Sequence, residues 1–267
     1  MDIRSTLPLH TGRSMPVMGL GTWQLTHDTA GTVEEALRLG YPMIDTSSDY
    51  GTQPGIGEAI RQSEVEREAI FLVTKVEEDD EAYEATRQYL GEMGRQRADL
   101  MLIHRPPPAG AGVGLWEGLI KARKDGLTTD IGVSNYPAEQ IDELVDATSE
   151  TPVVNQIEWS PFGWSAEMLD YCNGRGIVIQ AYSPLTRGGR LDDEKLGEVA
   201  AQYGKSPAQV LIRWNLQMGV VPLPKANQKN HMVENLDVFD FEISESDMTA
   251  LGELNEQYSA LGSLPYV

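Results

Sequence analysis

The chain has 267 residues, a length that suits one large domain better than two independent ones, and its 40% hydrophobic content is ample for a core. Asp and Glu number 41 against 21 Lys and Arg, a formal net charge of −20, which argues against nucleic acid and anionic membrane as partners. The single cysteine, Cys172, excludes an intramolecular disulfide framework and a thiolate metal cluster.

In chain order, the first feature is a His10-Thr11-Gly12-Arg13 turn flanked by Leu7, Leu9 and Met15, which reads as a short N-terminal β-hairpin. Short apolar or β-branched runs then alternate with stretches of helical period, each closed by Gly, Pro or polar residues. The runs span 17–22, 43–46, 70–75, 100–104, 130–134, 153–159, 177–183 and 220–224. The helical stretches lie near 28–40, 54–64, 79–93, 113–125, 137–147, 165–174, 206–218 and 244–255. Ser206-Pro207-Ala208-Gln209 opens the seventh of these with a capping serine, a proline suited to the first turn and a glutamine that completes a capping box. Eight strand-then-helix units of about 33 residues each fill the chain, which predicts a single (β/α)8 barrel over residues 1–267 with the hairpin as its floor. A doubly wound sheet would use fewer strands and leave residues over.

No 18-residue apolar run occurs, and Met1-Asp2-Ile3-Arg4 lacks the regions of a signal peptide, so a cytoplasmic protein without membrane attachment is expected. The cations divide into 14 Arg and 7 Lys; acidity with few lysines resembles the surfaces of proteins from high-salt cytoplasm, and a halophilic and an ordinary acidic enzyme both fit. His10 and His27 have no ligand spacing with other metal-binding residue types, so no metal is expected. A monomer or weak oligomer acting on a small molecule is the expected working form.

Barrel enzymes carry their chemistry at the C-terminal ends of the strands. Here the second run leads through Asp45 to Tyr50, the third ends in Lys75 and the fourth in His104. Each alone has a plain structural reading, such as a tyrosine packed in a Gly-rich loop or a satisfied core histidine. Together they point a carboxylate, an ammonium, an imidazole and a phenol at one mouth. Reducing a carbonyl needs a proton as negative charge develops on oxygen. Tyr50 can supply it, Lys75 would favour the phenolate, Asp45 would hold the lysine charged, and His104 would orient the substrate oxygen.

The chain at these positions resembles the aldo-keto reductase family. The resemblance is carried by Gly19-Leu20-Gly21-Thr22-Trp23, Asp45-Thr46 through Tyr50-Gly51, Thr74-Lys75, Leu102-Ile103-His104, Gly132-Val133-Ser134-Asn135, Asn155-Gln156, Tyr182-Ser183-Pro184-Leu185, Pro224-Lys225 and Glu234-Asn235. It covers nearly the whole length and is nearest to the prokaryotic reductases of sugars and small carbonyl compounds. It implies a nicotinamide cofactor on a barrel and the tetrad Asp45, Tyr50, Lys75 and His104. It also implies that Ser134, Asn135 and Gln156 hold the carboxamide while Tyr182 stacks on the nicotinamide ring, with Gly21, Thr22 and Asp45 near its ribose. Ser183, Leu185 and Arg187 would approach the pyrophosphate; Lys225, Ala226, Asn227 and His231 would surround the adenosine 2′-position; Glu234 and Asn235 would meet the adenine.

The residues themselves bear on the cofactor in two ways. No G-x-G-x-x-G follows a strand, which rejects Rossmann-type binding. Residues 171–191 and 220–233 lack Asp and Glu but contain Arg175, Arg187, Arg190, Lys225, Lys229 and His231, which reads as an anion site in the loops after strands seven and eight. A buried strand with its flanks explains the first window equally simply, and residues 100–116 are acid-free too.

Departures from the family pattern matter for specificity. Ala226 replaces a common serine and His231 a common arginine, and neutral imidazole is a weaker partner for a 2′-phosphate than guanidinium. NADP is therefore expected through Lys225, with NAD also possible. Arg105 follows His104 where many relatives have tryptophan, and Asp49 and Glu77 add charge near the mouth. With Trp23 as a wall, Asp49, Tyr50, His104 and Arg105 would form a pocket for sugar-derived or keto-acid carbonyls. In that pocket Arg105 pairs either a substrate carboxylate or a neighbouring acid. The short connections and the tail Leu264-Pro265-Tyr266-Val267 suggest an open pocket. Two other readings stand beside the reductase: a cofactor-binding regulatory or sensor subunit with little turnover, and a barrel hydrolase or isomerase using the same groups.

Overall fold

A computed structural model describes every residue except Thr26. Two short strands, β1 (Thr6–Pro8) and β2 (Ser14–Pro16), pair antiparallel, with Leu7 opposite Met15. Eight parallel strands follow: β3 (Leu20–Gly21), β4 (Met43–Asp45), β5 (Phe71–Val76), β6 (Ala98–Ile103), β7 (Thr128–Ser134), β8 (Val154–Glu158), β9 (Val178–Tyr182) and β10 (Val221–Pro222). Each hydrogen-bonds to the next in chain order. The ring closes where Gly19 N donates to Pro222 O at 3.2 Å and Gly21 N to Pro224 O at 3.1 Å. A Cβ at position 21 would lie 2.8 Å from the Leu223 carbonyl oxygen, so closure requires glycine there.

Alternation along the strands sorts the apolar residues into two cores. Met43, Val73, Leu100, Leu102, Val154, Val221 and Leu223 fill the barrel, joined by Leu9 and Met15 of the hairpin. Ile44, Leu72, Met101, Ile131, Ile157 and Ile179 face outward into the layer beneath the helices. Both faces of the eight barrel strands are largely buried, which is why the runs read as apolar rather than alternating. The hairpin is the floor that the sequence predicts. Gly12 turns it at φ 81°, and Arg13 ties it to β7 by donating to Thr129 O and, at 3.0 Å, to the buried Asp130 carboxylate.

Ten α-helices occur among the described residues, against eight expected. α1 (Thr29–Leu39), α2 (Gln53–Gln62), α3 (Ala82–Glu92), α4 (Val113–Lys124), α5 (Ala138–Thr148) and α6 (Ala166–Arg175) follow their strands as read. Between β9 and α8 (Pro207–Gln217) an additional α7 (Glu194–Tyr203) forms, started by the Asp193 side chain on Leu196 N and stopped by Gly204 at φ 63°. The eighth barrel helix is α9 (Lys229–Leu236), which packs between α8 and α1. The expected 244–255 helix, α10 (Glu245–Gly252), lies instead against α7. α9 has eight residues, buries Met232 and Asn235, and opens at Gln228 without a side-chain cap, so it lacks a start signal. The Ser206 capping box forms as expected. Cys172 is buried in α6, and burial pushes its thiol up to about 12, in keeping with a core residue. Among the described residues no helix is long and apolar enough to cross a membrane.

Met15 is fully buried at the barrel floor. Met15→Ala should cost about 2–5 kcal/mol of unfolding free energy, read as a lower urea midpoint with an unchanged slope.

Candidate active site

Asp45 ends β4, and the chain then makes a single 3-10 turn, Ser48–Tyr50, stopped by Gly51 at φ 68°. That turn brings the Tyr50 ring back over the barrel mouth. Lys75 is the penultimate residue of β5, and His104 directly follows β6. Ladder register sets Asp45 beside Val73 and Lys75 beside Leu102, so the functional side chains leave the barrel at similar heights.

Lys75 is wholly buried, and a buried ammonium requires acceptors. Its Nζ donates to both Asp45 oxygens, at 2.9 and 3.0 Å, and to Thr46 O at 2.7 Å. Asp45 also accepts from Gln156 Nε2 at 2.8 Å. The same Gln156 nitrogen contacts Gln180 Oε1 at 2.9 Å, so its amide is already engaged inside the barrel. The Tyr50 ring centroid is 5.0 Å from Lys75 Nζ and 5.7 Å from the His104 ring, which it meets edge-on. Burial holds the Tyr50 phenol well above its ordinary value, and Asp45, Asp49 and Glu77 reinforce the effect. At rest the three lysine protons are spent on Asp45 and Thr46, and the phenol stays neutral.

His104 Nδ1 lies 2.8 Å from Glu77 Oε2 and 3.2 Å from Ser47 Oγ. Ser47 and Ser48 each donate to Glu77 Oε1 at 2.7 Å. Glu77, read from the sequence as one more charge near the mouth, thus stands behind the histidine; its spacing of two from Lys75 is the signal that could have paired them. Asp49, Glu77 and His104 offer atoms within 4.8 Å of one another, but the Arg105 guanidinium is bonded to Asp49 beside them.

A cavity of about 880 Å³ opens above these groups. Trp23, Asp49, Tyr50, His104 and Arg105, all expected at the substrate, line it. So do Gly21, Thr22, Asp45, Ser134, Asn135 and Gln156 from the expected nicotinamide end. Tyr182, Ser183, Leu185, Arg187 and Lys225 continue the wall. Ala226, Asn227, His231, Glu234 and Asn235 lie outside that lining; Asn227 and His231 are exposed and Ala226 is buried. Asn135 holds its neighbours together, its Nδ2 donating to His104 O at 3.0 Å and its Oδ1 accepting from Tyr182 OH at 2.8 Å.

Of the cations in windows 171–191 and 220–233, Arg187 and Lys225 line the cavity. Arg175 pairs with Asp142, Arg190 with Glu256 and Lys229 with Glu35, so those three serve packing. The Arg187 guanidinium lies 3.8 Å over the Trp23 indole, joining a residue expected at the cofactor to one expected at the substrate. Arg105 bridges to Asp49 Oδ2 at 2.8 Å and to Glu78 at 3.5 Å.

The tail forms part of the wall, because Leu261, Ser263 and Pro265 line the cavity. Glu158, buried at the end of β8, holds the tail by accepting from Ser259 Oγ at 2.6 Å and Ala260 N at 2.8 Å. Tyr266 donates to Glu158 O and stacks on Trp159.

Comparison with known proteins gives the family. Residues 17–256 match the model of the Aldo/keto reductase family. The chain is 39% identical over 261 residues to a glyoxal reductase of Bacillus subtilis, covering 96% of this chain and 94% of that one. It is 41% identical over 257 residues to an aldo-keto reductase of Mycobacterium tuberculosis, covering 94% and 91%. A crystal structure of a Bombyx mori aldo-keto reductase in complex with NADP superposes with a TM-score of 0.91 at 31% identity, covering 97% and 95%.

Burial alone would raise the Glu77 carboxyl, but the bonds from His104, Ser47 and Ser48 outweigh it and bring it from 4.5 down to about 2. A depressed carboxyl contributes stability that is full above its unfolded value and lost as pH falls through the folded one. Between pH 4.5 and about 2, the wild type should therefore lose stability more steeply than Glu77→Gln, as measured by urea unfolding at each pH.

Proposed function

The chain belongs to the aldo-keto reductase family, and we propose that it reduces small, polar aldehydes or ketones to alcohols with NADPH, taking the proton from Tyr50. NAD(P)-dependent carbonyl oxidoreduction is the reaction class of the family. One observation carries the finer reading: a neutral phenol and an imidazole share the wall of one cavity, with the buried Lys75 and Asp45 pair directly behind the phenol.

The cofactor fits the residues present. The cavity runs from Tyr50 and His104 past Gly21 and Thr22 to Arg187 and Lys225. Among the described residues neither of those two cations has a carboxylate within ion-pair distance, which suits phosphate in a protein of net charge −20. When bound, the nicotinamide supplies the hydride that reaches the carbonyl carbon. Ser134, Asn135 and Gln156 would hold its carboxamide end, and Lys225, with His231 nearby in sequence, its 2′-phosphate.

The chain's own part is to manage charge on the substrate oxygen. Tyr50 keeps its proton at working pH because burial and three carboxylates oppose ionisation. As the oxygen gains negative charge it becomes the stronger base, and the phenol proton moves to it. The phenolate left behind faces the Lys75 ammonium 5.0 Å from the ring centroid, which lowers the cost of losing the proton. His104, whose ring lies 5.7 Å from that of Tyr50, stabilises the same oxygen from beside it.

Substrate size and polarity follow from the wall. Asp49 and Arg105 place an ion pair on it, and Leu261, Ser263 and Pro265 of the tail complete it. The similarity to a glyoxal reductase supports a small, hydrated carbonyl compound. Sugar-derived and keto-acid carbonyls also suit this wall. A substrate carboxylate would compete with Asp49 and Glu78 for Arg105, so neutral polar carbonyls are favoured over keto acids.

Tyr50→Phe should lower kcat for glyoxal by at least about 10²-fold while leaving the Kd for NADPH, read by fluorescence quenching, unchanged. Full activity would remove Tyr50 from its role. Lys225→Ala should reduce the NADPH over NADH ratio of kcat/KM by about tenfold, and an unaltered ratio would place the 2′-phosphate elsewhere.

A further inference from the structure

The surroundings of His104 dictate which ring nitrogen carries the proton. Glu77 Oε2 stands 2.8 Å from Nδ1, and an ionised carboxylate only accepts, so the contact requires Nδ1–H. Glu77 is ionised across the working range, since its carboxyl is held to about 2. Ser47, having given its proton to Glu77 Oε1, is left to accept at 3.2 Å from the same nitrogen. Asp49 Oδ1, at 3.7 Å, is a third group that can only accept. Arg105 Nη2 could donate to Nδ1, but it is 3.5 Å away and bonded to Asp49 at 2.8 Å. Tyr50 meets the ring edge-on as a neutral phenol, with the Lys75 and Asp45 pair beyond it. Asn135 donates to the backbone oxygen of His104 and not to its ring.

Nε2 has no protein partner among the described residues and is the ring nitrogen left for the cavity that His104 lines. In a neutral ring protonated at Nδ1, Nε2 keeps its lone pair, which would repel a carbonyl oxygen. It can donate only when the ring holds a second proton. We propose that Glu77 is a positioning residue for carbonyl reduction: it locks His104 as the Nδ1–H tautomer, so that this histidine donates to the substrate oxygen only as the imidazolium. The functional half of this inference rests on the reductase reading above; the tautomer half does not. Reduction then depends on pH through His104, whose charge faces the anions Glu77 and Asp49 and the cation Arg105.

Glu77→Gln gives a directional test. Ser47 and Ser48 both donate to the Oε1 position, so they hold the amide oxygen there and turn the amide nitrogen toward Nδ1. That nitrogen donates, which switches the neutral ring to the Nε2–H tautomer. Side-chain ¹⁵N NMR of labelled enzyme, at a pH where the ring is neutral, should show Nδ1–H in the wild type and in Glu77→Asp, and Nε2–H in Glu77→Gln. With glyoxal and saturating NADPH, wild-type kcat/KM should fall about tenfold per pH unit on its alkaline side. In Glu77→Gln that fall should flatten, with the Kd for NADPH within about twofold of wild type; Glu77→Asp should restore the wild-type profile. An Nε2–H ring in the wild type, or a tautomer and pH profile unchanged in Glu77→Gln, would overturn the proposal. A wild type that shows Nδ1–H but turns over no carbonyl would instead overturn the reductase reading.

Discussion

The ion pair between Lys75 and Asp45 is the constraint around which the barrel mouth is organised. Lys75 is wholly buried, and its ammonium is tolerable only because three acceptors surround it within 3.0 Å. Two of these belong to Asp45 and one to the backbone just past it, so β4 and β5 must keep their register. Removing one partner would strand the other as a buried charge, a loss on the order of 3–5 kcal/mol. Gln156 extends the requirement across the barrel by donating to Asp45 from β8, and Gln180 extends it to β9. The apolar barrel filling below and the Met15 plug at the floor exclude water from this network. Tyr50 inherits the result, held neutral by burial within reach of a cation whose bonds are already satisfied.

Charge is distributed to serve that site. A net charge of −20 would repel a dinucleotide everywhere on an even surface. Relief comes from very few residues: Arg187 and Lys225 face the cavity, while the other cations of the acid-poor windows are committed to Asp142, Glu256 and Glu35. Arg187 takes a backbone φ of 54°, which costs a non-glycine residue on the order of 1 kcal/mol, and lies across the mouth on Trp23. The C-terminal tail closes another side, pinned by Glu158 and Trp159. The cavity is thus bounded by contacts between segments far apart in the chain, and none of them is a feature of the barrel fold itself.

The eight strands and the hairpin were legible because each strand is a short apolar run bounded by turn residues, and because eight units fill the length. The helices were less so. α9 is short, polar and opens without a side-chain cap, and α10, which Ser244 caps, packs outside the barrel ring. Whether a helix belongs to the ring depends on which neighbours it meets, and period alone carries no such information.

For the site, the sequence by itself determined which side chains stand at the strand ends, since position within a strand unit fixes the end of the barrel from which a residue projects. That placed Asp45, Tyr50, Lys75 and His104 at one mouth, and Arg105 and Asp49 on its wall. Only the tertiary structure decided what each group bonds to. Arg105 found Asp49 and Glu78, Lys75 spent its protons on Asp45 and Thr46, and Glu77 turned behind His104 to select its tautomer. The reason is physical: a hydrogen bond is settled by a few tenths of an ångström between atoms on different strands, and the order of residues along one chain does not contain that distance.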